Sequence, residues 1–125
     1  MNTKMVANGL GVILIIAGII GFIPNPIAYS SGALFTVNAA HNVVHIVSGL
    51  FLLAGAFTGL GSAMALRILG IVYVIVAVLG FISGDNMILG FISNNNGDNW
   101  LHVVLALVLL AAGFGLTERE MSHAT

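Results

Sequence analysis

The sequence predicts an all-α membrane protein: a bundle of four transmembrane helices built from two helical hairpins repeated in parallel. Three observations lead there. Hydrophobic residues fill 59% of the 125 positions and charged residues only 6%, against roughly a quarter charged in ordinary soluble domains. Four apolar stretches, residues 5–23, 41–60, 66–82 and 99–116, each come close to the ~20 residues a helix needs to cross about 30 Å of hydrocarbon. The few polar groups recur at matching places in the two halves. A soluble helical bundle would need polar faces at helical period, and VILIIAGII (12–20) and IVYVIVAVL (71–79) have none.

The first stretch follows Lys4 and ends at Pro24-Asn25-Pro26, with small residues at Ser30-Ser31-Gly32-Ala33. That order imitates a secretory signal. The same run has a counterpart in the third stretch, where no signal can stand, so it is expected to persist as a span. Gly11 and Gly21-Phe22-Ile23 of the first align with Gly70 and Gly80-Phe81-Ile82 of the third. The second stretch opens HNVVH (41–45) and the fourth DNWLH (98–102), so that Asn42-x-x-His45 meets Asn99-x-x-His102, and Phe57 later meets Phe114. Aliphatic matches arise easily by chance, whereas a shared N-x-x-H at the same register points to duplication. The expected organisation is one integral membrane domain over residues 1–125, with repeats at about 9–60 and 66–116.

Charge placement gives the expected orientation. Lys4 precedes the first span, Arg67 lies between the second and third, and Arg119 follows the fourth, while loops 24–40 and 83–97 carry no Lys or Arg. The positive-inside rule then puts both termini in the cytoplasm and both N-x-x-H sites on the outer side. The outer loops are rich in turn formers, around apolar Ala33-Leu34-Phe35 and Met87 to Ile92, and are expected to dip back into the interface.

Several function classes fall away. Three basic residues and a net charge of −1 leave nothing to hold a nucleic-acid backbone. Without cysteine there is no thiolate chemistry. No Walker loop or G-x-S-x-G is present, and Glu118 and Glu120 lie in the tail, so no enzyme is expected. Tyr29, Tyr73 and Trp100 read as interface anchors or packing.

Asn42 and Asn99, with His41 and Asp98 just before them, are expected where helices begin, as caps for amides that lipid cannot satisfy. Capping leaves His45 and His102 unexplained, one turn further in. From His45 the same face runs through Ser48/Gly49, Leu52 and Gly55/Ala56, and from His102 through Ala106, Leu109 and Ala112/Gly113. Such small-residue stripes are where membrane helices meet, so both imidazoles should point into the bundle. Three readings follow. Each histidine braces an outer loop. Or His41, His45, Asp98 and His102, two i,i+4 pairs, ligate zinc, iron or copper, with Asp85 as a spare. Or His45 and His102 hold a haem or other tetrapyrrole, with Gly49 and Ala106 leaving room for the ring.

Four spans with a paired N-x-x-H resemble a family of small bacterial four-span proteins known as a domain of unknown function. The resemblance rests on His45 and His102 with Asn42, Asn99 and Asp98, followed by small residues; Ala106 stands where the other half has Gly49. It implies a bacterial inner membrane and no particular chemistry. The expected function is a non-enzymatic accessory or assembly subunit working through helix association in the bilayer. Gly55-x-x-x-Gly59 and Gly11, Gly18 and Gly21 favour a homo-oligomer or larger complex. The alternative is a membrane protein that binds metal or tetrapyrrole through its outer histidines.

Overall fold

The computed structural model describes residues 2–116. Four helices account for most of them: α1 (Thr3–Ile20), α2 (Ala39–Phe57), α3 (Ser62–Ser83) and α4 (Asn96–Gly115). All four are long and apolar enough to cross a membrane. The α1–α2 loop adds two short parallel strands, β1 (Ala28–Tyr29) and β2 (Phe35–Thr36), in register Ala28↔Phe35 and Tyr29↔Thr36. The α3–α4 loop closes on an Ile88↔Ile92 bridge.

All four helices start earlier than hydropathy suggests, three of them because an asparagine stops the extended chain just ahead. Asn2, Asn38 and Asn95 have extended backbones, and their side chains accept the amides of Met5, His41 and Asp98. Each cap satisfies an N–H that the first helical turn cannot. At Asn95 the box is complete, since the Asp98 carboxylate in return accepts the Asn95 amide.

Packing is closest within the pairs α1–α2 and α3–α4. Glycine makes this approach possible. A Cβ on Gly11 would stand 2.9 Å from the Gly49 carbonyl, and one on Gly49 would strike the Gly11 carbonyl and Ile15. In the second hairpin, Gly70 lies against Leu110 and Gly113 against Arg67 and Leu66. Between hairpins, Gly55 meets Ala65. The glycines expected to join separate chains, Gly11, Gly18, Gly21 and Gly55, are thus occupied inside one bundle, and Gly59 lies beyond α2 with nothing near it.

The core between the hairpins is narrow: Leu14, Leu52, Leu66, Leu69, Tyr73, Ala106 and Leu109. Large apolar residues such as Ile13, Val47, Ile71, Ile75, Val104 and Leu107 face outward. That is the arrangement of a chain whose solvent is lipid. At one end Lys4 lies over the Phe57 ring, at 5.3 Å, and the Arg67 guanidinium over Phe114, at 4.5 Å. Lys4 and Arg67 therefore share the end opposite the N-x-x-H residues. Arg119, the third basic residue of the orientation argument, and Glu118 and Glu120 lie outside the described residues.

Replacing Gly11 or Gly49 with valine should destabilise the protein by about 1–3 kcal/mol through overpacking. Gly59→Ala, in open space, should change stability by less than about 0.5 kcal/mol. Unfolding in mixed denaturing detergent measures both, and equal losses at the two kinds of site would contradict the close approach.

Candidate functional site

At the cap end of the bundle three imidazoles meet. His41 and His45 lie one turn apart on α2 and so share a face, and His102 lies nearly two turns into α4. All three are buried. The ring centroids of His41 and His45 are 4.6 Å apart, those of His41 and His102 5.4 Å, and those of His45 and His102 6.0 Å. Each ring offers a nitrogen such that all three lie within 4.8 Å of one another. Nitrogens around one tetrahedral or trigonal ion stand about 3.4 Å apart, so a bound ion would draw the rings together by about an ångström. The histidines border a cavity of about 60 Å³, closed by Val44, Val76, Leu79, Ile88, Leu89 and Ile92, with Tyr73 in the wall.

Hydrogen bonding orients the cluster. His41 Nδ1 sits 2.6 Å from the Ser93 carbonyl. A carbonyl only accepts, so Nδ1 carries the proton and donates, and Nε2 keeps its lone pair. His41 Nε2 and both ring nitrogens of His102 are buried without a protein partner. Tyr73, whose ring centroid is 5.6 Å from that of His102, shares a 3.0 Å hydrogen bond with Ser48.

The two loops at this end close the site by crossing over. The α3–α4 loop sits on α2, where Asn38 Nδ2 donates to the Phe91 carbonyl, at 2.9 Å, and Ser93 receives His41. The α1–α2 loop sits on α4. There Asn95 Nδ2 donates to the Leu34 carbonyl, at 3.0 Å, and the Thr36 amide to Asp98 Oδ2, at 3.1 Å.

Several expectations need correction. Asp98 stands outside the histidine group, because Oδ2 accepts the Asn95 and Thr36 amides and serves the cap and the loop. Asp85 lines a separate polar pocket with Asn94, Asn95 and Asn96. Asn42 and Asn99 do not cap. Their own amides already donate within the helices, to Asn38 and Asn95 carbonyls, and their side chains fill the space left by Gly21 and Gly80. Asn99 Oδ1 accepts from Asn94 Nδ2, at 2.6 Å, whereas Asn42 Oδ1 is buried without a partner. A tetrapyrrole does not fit. The space beside Gly49 is taken by the Gly11 carbonyl and Ile15, Ala106 is buried in the core, and ligand pockets of that class run to several hundred Å³.

Tyr73, read from the sequence as an anchor or as packing, is 1% exposed and forms part of the site wall. A tyrosine amid aliphatic residues in mid-span was the signal that could have marked it. Ser93 acts through its backbone carbonyl, for which side-chain identity gives no signal. Trp100 is exposed, its ring edge-on to Phe81 at 5.2 Å.

A family profile described as "Domain of unknown function (DUF4383)" matches residues 4–115. The chain belongs to that family. No curated protein and no solved structure shows a significant match.

With the caps at Asn38 and Asn95, Asn38→Ala and Asn95→Ala should each lower stability by about 0.5–2 kcal/mol. The amides of His41 and Asp98, which those side chains accept, should then lose protection in residue-resolved hydrogen exchange. Unchanged exchange there would return capping to Asn42 and Asn99.

Proposed function

Within that family, we propose that this chain is a non-enzymatic bacterial inner-membrane protein that holds a transition-metal ion at its outer end, ligated by His41, His45 and His102. The observation that carries the reading is the His41 Nδ1 hydrogen bond to the Ser93 carbonyl. Metal-ligating histidines donate their second ring N–H to a carbonyl or carboxylate, which fixes the tautomer and aims the free nitrogen at the ion. Here the free nitrogen, Nε2, is buried without a protein partner, as are both nitrogens of His102.

Imidazole suits zinc, copper, iron and nickel, and three such ligands with one open position form a recurring metal site. A loop brace alone accounts for His41 and leaves His102 unexplained. Helix association as the main function has less support, since Gly11, Gly18, Gly21 and Gly55 pack within the bundle and only Gly59 of those glycines stands in open space. Lys4 and Arg67 lie at the opposite end, which the positive-inside rule assigns to the cytoplasm.

Protein purified from membranes without chelator should carry close to one transition-metal ion per chain by elemental analysis. His41→Ala, His45→Ala or His102→Ala should each weaken retention at least about 10–100-fold, and the triple variant should lose little beyond a single one. Metal-free protein that takes up no ion on titration would refute the reading.

Orientation is tested separately. Cysteines introduced singly at Ser31 and Asn86, in the two outer loops, should label with an impermeant reagent from the periplasm. One at Gly59 should label only after the membrane is opened. Outside labelling of residue 59 would reverse the topology.

A further inference from the structure

We propose that the ion this site takes is monovalent copper, Cu(I), bound by three neutral imidazoles in a near-trigonal arrangement. This rests on the three-histidine reading above and adds the identity and charge of the ion.

The first argument is charge. The ligands are imidazoles, which supply no negative charge when they bind a metal through a neutral ring. Asp98, four residues before His102 on α4, has its Oδ2 bound to two backbone amides and lies outside the cluster. The sequence has no cysteine to act as thiolate. Besides the histidines and Tyr73, whose hydroxyl is engaged with Ser48, the cavity is lined by Val44, Val76, Leu79, Ile88, Leu89 and Ile92. An ion entering it therefore keeps its charge in apolar surroundings. The solvation it gives up grows with the square of that charge, so a divalent ion loses about four times as much as a monovalent one of similar size.

The second argument is coordination number. Zinc in proteins takes four ligands, and a site with three histidines completes its shell with water, hydroxide or substrate. A cavity of about 60 Å³, shared with the ion itself, leaves room for only a few water-sized guests. Apart from the Tyr73 hydroxyl, already bonded to Ser48, and the second ring nitrogen of His102, such a guest would face aliphatic walls, fewer polar partners than the roughly three an ordered water typically has. Cu(I), a soft ion of single charge, is satisfied by three ligands and needs no such guest. Imidazole is within copper's ligand range.

The third argument is shape. The rings are inclined at 78° for His41 and His45, 77° for His45 and His102 and 39° for His41 and His102, so no two stack face to face, and each presents one nitrogen within 4.8 Å of the other two. The two facing helices fix two ligands on one side and one on the other, with no further His, Cys, Asp or Glu in the group among the described residues. A planar three-ligand ion fits that set without a fourth donor.

The test uses the full chain in mild detergent, freed of metal and kept anaerobic with a mild reductant. Cu(I) is titrated in competition with a chromogenic Cu(I) chelator, and Zn(II) in parallel with a zinc-sensitive dye. The expected result is one Cu(I) per chain, Zn(II) binding at least about 100-fold weaker, and an X-ray absorption spectrum of the copper form with three nitrogen neighbours and no sulfur. Because an alanine variant can fail to fold, His102→Gln and His45→Gln serve as well; each should lose Cu(I) while helix content by circular dichroism is kept, and Asp98→Asn should retain it. Zn(II) bound as tightly as Cu(I) or more so would overturn the copper assignment and leave the three-histidine site standing. Neither ion bound would overturn both. Cu(I) held equally well by the two glutamine variants would place it elsewhere and also overturn the proposal.

Discussion

Close backbone approach at glycine is the contact on which the other features of this bundle depend. Water is absent from the hydrocarbon, so helices there gain little from burying apolar area against one another, and association comes from van der Waals contact at short range. Gly11 against Gly49 in the first hairpin, and Gly70 and Gly113 against their neighbours in the second, supply that contact. Each hairpin becomes tight, and the seam between hairpins is left to larger side chains. His41 and His45 from one hairpin and Tyr73 and His102 from the other fill that seam at its capped end. A bundle with four equally tight interfaces would have no room for a ring at any of them.

The same constraint shapes the loops. A helix that begins in or near lipid exposes amides that must find acceptors within the protein. Asn2, Asn38 and Asn95 provide one each. Side chains of the two helix starts in turn tie down the loops, the first loop to α4 through Asp98 and Asn95, the second to α2 through Asn38 and His41. This crossing fastens the two hairpins together at the end that holds the histidines and makes the cavity floor and its lid one connected structure. The price is a strained tip, with Leu89 at φ 54°, a conformation that favours glycine, next to Gly90 at φ 85°.

Helix number and the inward face of the histidines were legible because both follow from rules that act along the chain: stretch length against bilayer thickness, and the i,i+4 step. The start of each helix was misread for a physical reason. Hydropathy detects the part of a helix that lipid touches, and the capped first turn of α2 or α4 is polar and covered by loop. Asn42 and Asn99 therefore looked terminal while lying a full turn inside, where Gly21 and Gly80 make room for an amide. Asp98 followed the register of a ligand, yet the competing demand of its own helix start claims its carboxylate. The Tyr73–His102 and His41–Ser93 contacts cross between elements distant in sequence, and no local period encodes them.

A half-satisfied polar cluster is the feature hardest to explain as scaffolding. A buried donor or acceptor without a partner costs about 1–3 kcal/mol, and such a cluster stabilises less than aliphatic packing of the same volume. Scaffolding would need only His41, whose Ser93 bond ties the second loop to α2. His102 makes no such tie, and both its nitrogens are buried. Leucine or phenylalanine there would fill the seam equally well without the desolvation. The imidazole at position 102 thus makes physical sense where something other than protein supplies its partner, and the neighbouring Nε2 of His41, held with its lone pair free, gives that partner a second point of attachment.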